Sequence, residues 1–363
     1  MAKRVPIPGI LVGVFLASVG LHGQTSPAHP YRLEWKHNFA FLAFDAEGTS
    51  SEDGTLWLIV RPSPGKPEEL TRISPDGNVT GTFAPAVPLN PIQWVDYLSP
   101  ATSGNRTGLL VNVVSGRKNQ TQEGAFFLPV GSNGLGPPIQ IAPREGPQFP
   151  HLIGDGTGQF IAIGDQSPIT LMKLGATGNQ IWRRSFTSKF VLPDAAVSAK
   201  GEIFVLSEGG GHVLLQLLDQ TGRVLRSKGL AAKQGTVVAN EDGGCTVLLS
   251  KKYGGRDNRV YLVRLSQTLG EQSEIETPLV GWGGREYQLI SSPRGHLAVG
   301  PGTGQEQQIL VEFDKSGKLL WQRAISSPFT PRLIPFHSGF YLVKAVPVTE
   351  GGGTIVEKYV FEN

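Results

Sequence analysis

Residues 288–322 read QLISSPRGHLAVGPGTGQEQQILVEFDKSGKLLWQ. A short apolar run, Gln288-Leu-Ile, leads to Gly295 and a β-rich run, Gly295-His-Leu-Ala-Val. A polar loop follows, then Ile309-Leu-Val-Glu-Phe-Asp314, a hairpin through Gly317, and a last run ending at Trp321. Runs of this length bounded by glycine and polar clusters predict four strands, and Gly317 supplies the positive φ of a tight hairpin.

The same order recurs. It appears from His151-Leu-Ile through Gly158-Gln-Phe-Ile-Ala-Ile and Ile169 to Gly178 and Trp182, and again from Asp194-Ala-Ala-Val through Gly201-Glu-Ile-Phe-Val-Leu and Val213 to Gly222 and Leu225. Weaker copies start at Gly54-Thr-Leu-Trp, Gly108-Leu-Leu-Val and Gly244-Cys-Thr-Val. Hairpin glycines at Gly77, Gly134, Gly178, Gly222, Gly270 and Gly317 give a period of roughly 45 residues, the mark of a β-propeller built from four-stranded blades. No sustained 3.6-residue periodicity appears after the N-terminus, so the fold class is all-β. The last unit, from Arg332-Leu-Ile to Phe361, stops after three strands, while Tyr31-Arg-Leu-Glu-Trp35 resembles the fourth strand at Leu319-Leu-Trp321. Residues 31–37 are therefore expected to complete the C-terminal blade, which hides sheet edges that an open arc would expose. The count is seven blades within a single domain over residues 31–363. The irregular unit between Ile92 and Pro143 leaves six or eight compatible with the pattern.

Three segments, Thr177-Gly178-Asn-Gln-Ile-Trp182, Asp219-Gln-Thr-Gly222 and Asp314-Lys-Ser-Gly317-Lys-Leu-Leu-Trp321, resemble the Asp-x-x-Thr-Gly-x-x-x-Trp hairpin of quinoprotein-type propeller repeats. The second carries Arg226 in place of the tryptophan. The resemblance implies a propeller whose tryptophan docks on the neighbouring blade. Enzymes of that superfamily bind pyrroloquinoline quinone and calcium, often beside a vicinal cysteine pair. This chain has one cysteine, Cys245, and no evident Asp/Asn/Glu calcium cluster, so no cofactor is expected and a non-catalytic member is.

Composition narrows the function classes. The chain has 363 residues with 47 glycines, 27 prolines and 39% hydrophobic residues, enough for a core with many turns. A formal charge of +3 is too small to project the field that nucleic acid requires. One cysteine excludes a disulfide framework and any cysteine-based metal site. The seven histidines show no His-x-x-x-His spacing, and Gly-x-Ser-x-Gly is absent.

Lys3 and Arg4 precede an apolar run, Gly9–Gly20, followed by small residues with Gly20 or Gly23 at the expected cleavage point. Residues 1–23 thus read as a secretory signal peptide and residues 24–30 as a linker. The alternative, a membrane anchor, needs roughly 20 apolar residues, more than Pro6, Pro8 and His22 leave room for. Secretion or a periplasmic location follows, with no membrane span once the signal is removed.

Propeller ligands gather where the innermost strands begin. Aligning the units gives a polar column of Asp96, His151, Asp194, Thr236, Gln288 and Arg332, with only Phe41 in the first unit. Such a convergent polar set is a candidate binding site at the channel mouth. The same residues could instead hydrogen-bond one another, and a His151–Asp194 dyad could serve an acid–base enzyme. Loops at 209–212, 251–257 and 300–307 are expected on the same face, and Trp282, in the loop-like Gly281-Trp-Gly-Gly284, could stack on a sugar or peptide. Trp57 and Trp94 read as packing residues. Three functions fit: a binding module for an envelope or extracellular protein or glycan, a propeller enzyme of quinoprotein or lactonase-like type, and a passive spacer.

Overall fold

The computed structural model describes residues 31–41, 47–63, 66–90, 93–116, 121–164, 168–186, 191–252, 258–281, 287–302, 308–327, 329–346 and 352–362. The expected signal peptide and linker, Trp282, and most of the loops at 251–257 and 300–307 lie outside them.

Seven antiparallel sheets, each with a path of four strands, form a β-propeller, and among the described residues there is no helix. Blades 1 to 7 start from first strands at Gly48–Ser50, Gln93–Ser103, His151–Gly154, Val191–Val197, Gln234–Ala239, Gln288–Ser292 and Arg332–Phe336. Blade 2 also carries a two-residue strand, Gly134–Leu135, and its bulges account for the irregular spacing there. Blade 7 closes as expected. After Gly339–Ala345 and Thr354–Phe361, its fourth strand is Tyr31–Phe39, antiparallel from Tyr31 opposite Phe361 to Phe39 opposite Thr354.

The core lies between blades rather than within them. Seven apolar clusters among the described residues each span one seam. At the closing seam Leu56, Leu58 and Val60 of blade 1 meet Ile334, Tyr341 and Val356 of blade 7. The second strands are buried on both faces, as at Leu56–Val60, and so read as continuous apolar runs. Trp57 is buried in the seam between blades 1 and 2, with the Arg72 guanidinium 5.7 Å from its ring.

A second set of contacts joins the outer parts of the blades. Trp182 Nε1 donates to Gln220 O at 2.9 Å, on the hairpin of the next blade, as the tryptophan of the repeat motif should. Trp35 Nε1 donates to Pro75 O at 2.7 Å, Arg72 Nη1 to Ser132 O at 2.8 Å and Lys228 Nζ to Leu269 O at 3.0 Å. Trp321 is the exception. Its next blade has no hairpin at that point, because the third and fourth strands come from opposite ends of the chain. The indole instead donates to Glu312 Oε2 at 2.6 Å, and the fully buried Glu312 also accepts from Tyr31 OH at 3.1 Å and Ser292 Oγ at 3.2 Å.

One turn departs from the glycine pattern. In blade 5 the left-handed position falls on Leu269, with φ 60°, not on Gly270. An L-residue there costs roughly 1–2 kcal/mol. Leu269 is buried among the apolar side chains of blades 4 and 5, and that burial offsets the cost.

His296, buried in blade 6, makes a 2.9 Å contact from Nε2 to Thr246 Oγ1, which donates its single proton to Asn240 Oδ1 at 3.0 Å. Nε2 must then carry the imidazole proton, and buried Nδ1 has no hydrogen-bond partner. Burial, reinforced by the nearby Arg264 cation, pushes the His296 pKa down to about 4. The unfolded chain takes up this proton below about pH 6.5, and the folded one resists until about pH 4. Stability should therefore fall across that window by about 3 kcal/mol. Urea melts at pH 7, 5.5 and 4 check this, and His296→Gln should flatten that part of the profile. Burial also pushes the Cys245 thiol up to about 12, which leaves it an inert core group.

Candidate functional site

The first strands of all seven blades surround a central cavity of about 790 Å³. His151, Asp194, Thr236, Gln288 and Arg332 line it, as aligned from the sequence. Asp96 does not. It sits at the register shift between Val95 and Tyr97 and is exposed, and Ser99, three residues on, takes the place of blade 2 in the wall. In blade 1 the place belongs to Glu47. Its carbonyl accepts from the amide of Ile59, the fifth residue after Gly54, as Asp194 faces Leu206, the fifth after Gly201. Phe41 instead stacks on Phe39, with centroids 4.9 Å apart.

The ring is thus Glu47, Ser99, His151, Asp194, Thr236, Gln288 and Arg332, and its members do two different things. Innermost strands leave unpaired backbone groups on one side, and buried ones must find partners. On alternate blades a ring residue supplies them. Ser99 Oγ accepts from Leu152 N at 3.0 Å. Asp194 Oδ2 accepts from Val237 N at 2.9 Å and from Thr236 Oγ1 at 2.6 Å, while Oδ1 accepts from Ala195 N at 2.9 Å. Gln288 Oε1 accepts from Leu333 N at 2.7 Å and its Nε2 donates to Leu333 O at 2.8 Å. In each case the amide clasped is the one just after the ring residue of the next blade. Blades 2, 4 and 6 thereby hold blades 3, 5 and 7.

Asp194→Ala should cost about 2–3 kcal/mol, because it leaves two amides and a hydroxyl without this acceptor. Chemical denaturation measures this directly, and a loss under 0.5 kcal/mol would contradict the clasp.

Glu47, His151 and Arg332 also face the cavity. His151 Nδ1 lies 3.9 Å from Glu47 Oε1, reaching past the small Ser99, so the acid paired with this histidine is Glu47. The carboxylate of Asp194 is occupied by the three bonds described above. The half-buried Arg332 pairs through its backbone with Val343, but its guanidinium makes no hydrogen bond or ion pair among the described residues. Glu47 and Ser99 escape sequence reading for identifiable reasons. The strand Gly48–Ser50 has no apolar run to align on, and the bulge at Asp96 shifts the count in blade 2.

No protein-family model matches the sequence, the quinoprotein-type repeats included, and no curated protein matches it. Solved structures do. YCF48 bound to D1 peptide is 12% identical, with a TM-score of 0.58 over 93% of this chain and 96% of that one. Virginiamycin B lyase from Staphylococcus aureus is 11% identical, with a TM-score of 0.54 over 91% and 99%. A streptogramin B lyase structure is 13% identical, with a TM-score of 0.53 over 90% and 97%. At such identities the likeness shows the fold alone. The chain is a seven-bladed β-propeller, closed by its own N-terminal strand, with a polar ring around its central cavity.

Proposed function

We propose that the protein is an exported binding module that takes a protein or glycan of the cell envelope or extracellular space at the mouth of its channel, without catalysing a reaction. The division of the ring supports this reading. Clasp residues fix the wall at three seams, so Glu47, His151 and Arg332 are presented on a rigid frame around a cavity within the usual size range for ligand sites. A fixed frame lowers the ordering cost of binding. The apolar N-terminal run argues for export, and the modest net charge argues against nucleic acid as the partner. YCF48, a propeller of similar fold, is described with a bound peptide, a precedent for this use of the architecture.

Affinity capture from the native envelope tests the proposal. The chain from Gln24 onward should retain a partner that the triple variant Glu47→Ala, His151→Ala, Arg332→Ala loses. Identical captures, or none, would contradict it.

One observation favours the alternative of an enzyme. The pairing of His151 with Glu47 could orient an imidazole as a general base. Of the two ring hydroxyls, Thr236 donates to Asp194 rather than to His151 and Ser99 Oγ accepts from Leu152 N, so neither is seen donating to that base. Any turnover abolished by His151→Ala and by Glu47→Gln would favour the enzyme over the module.

A further inference from the structure

We infer that Arg332 seats a carboxylate of the ligand, an inference that rests on binding at the channel mouth. Around the ring the acidic groups are provided for: Asp194 accepts three hydrogen bonds, and Glu47 faces His151. Arg332 is the one cationic residue of that ring, and no described residue supplies its counter-charge. A guanidinium presents several donors in a planar fork that matches a carboxylate two bonds at a time.

The surroundings favour such a pair. Gln288 of blade 6 clasps both the amide and the carbonyl of Leu333, which fixes the backbone next to Arg332 before any ligand arrives. Val237, Leu289 and Ile334 contribute apolar surface to the same cavity, where charges are screened less than in open water. On the next blade round, Glu47 would repel a second anionic group and accept from a hydroxyl or amide. The ligand class is therefore a monocarboxylate with neutral donors beside the acid. A peptide C-terminus and a uronic acid both meet that description.

Titration calorimetry with paired probes tests this. An N-acetyl tripeptide with a free C-terminus is compared with its C-terminal amide, and glucuronate with glucose. The inference predicts that at least one acid binds tenfold or more tighter than its neutral counterpart. It predicts that Arg332→Gln removes the difference and Arg332→Lys restores part of it, with both variants melting like the parent. The pair showing the difference identifies the source of the carboxylate. Equal binding of acid and neutral probes, no binding of either acid, or full retention in Arg332→Gln would overturn the inference. The envelope capture separates the two levels. A partner lost on Glu47→Ala with His151→Ala but kept by Arg332→Gln leaves mouth binding standing and removes the carboxylate. A capture unaffected by either removes both.

Discussion

Glu312→Ala should lower the stability of the propeller by about 3–5 kcal/mol, the range expected when one partner of a buried charged network is removed. Glu312 is fully buried, and its two oxygens accept from Trp321 Nε1, Tyr31 OH and Ser292 Oγ, with Arg294 Nη1 3.9 Å away. Alanine would leave three donors without an acceptor and open a cavity beside Tyr31, Trp321 and Phe340. The site matters because it ties the closing strand to the neighbouring blade: Tyr31 opens the closing strand, while Glu312 and Trp321 belong to blade 6. Trp321→Phe, which removes one donor and keeps most of the ring, should cost about 1 kcal/mol. Urea denaturation of both variants checks the order. A Glu312→Ala protein within 1 kcal/mol of the parent would show that this network does not hold the ring shut.

Removing residues 31–39 should have a larger effect. The strand forms an antiparallel ladder with Thr354–Phe361, contributes buried Tyr31, and packs Trp35 and Phe39 on the seam with blade 1. Without it, the Thr354–Phe361 strand becomes an open edge, and Glu312 loses its tyrosine donor. The loss, about 5 kcal/mol or more, is comparable to the whole net stability of an ordinary domain. The expected result is no cooperative melt and association through the bare edge. A peptide of residues 31–39 added in trans should restore the transition in part. An unchanged melting temperature after the deletion would show that blade 7 does not need the N-terminal strand.

Much of this architecture is written locally in the chain. Gly178, Gly222 and Gly317 take positive φ in hairpins where the repeat demands them, and the apolar runs after Gly201 and Gly295 are buried second strands. The truncated last unit and the Trp35 strand were enough to anticipate closure. What escapes is set by packing between blades. Leu269 replaces glycine in a left-handed turn because a seam buries its side chain, a long-range effect with no local mark. Trp321 turns inward because the hairpin on which its counterpart Trp182 docks does not exist at the closing blade.

The ring shows the same boundary. Residue type and strand position were enough to find His151, Asp194, Thr236, Gln288 and Arg332, yet Asp96 and Ser99 are separated by a bulge that composition does not announce. Whether a ring acid clasps the next blade's backbone or meets a side chain is invisible in sequence, because Asp194 and Glu47 are both acids at strand starts. Only the neighbouring backbone decides it: Asp194 meets the amide of Val237, whereas Glu47 reaches the imidazole of blade 3.

The division of the ring into residues that hold the wall and residues that face a ligand is tested most directly by melting and capture on the same two proteins. Asp194→Ala is predicted to lose about 2–3 kcal/mol of stability and still capture the partner at temperatures where it remains folded. The triple variant Glu47→Ala, His151→Ala, Arg332→Ala is predicted to stay within about 1 kcal/mol of the parent and to lose the partner. The reverse pattern, a stable Asp194→Ala protein that no longer captures beside a destabilised triple variant that does, would contradict the account.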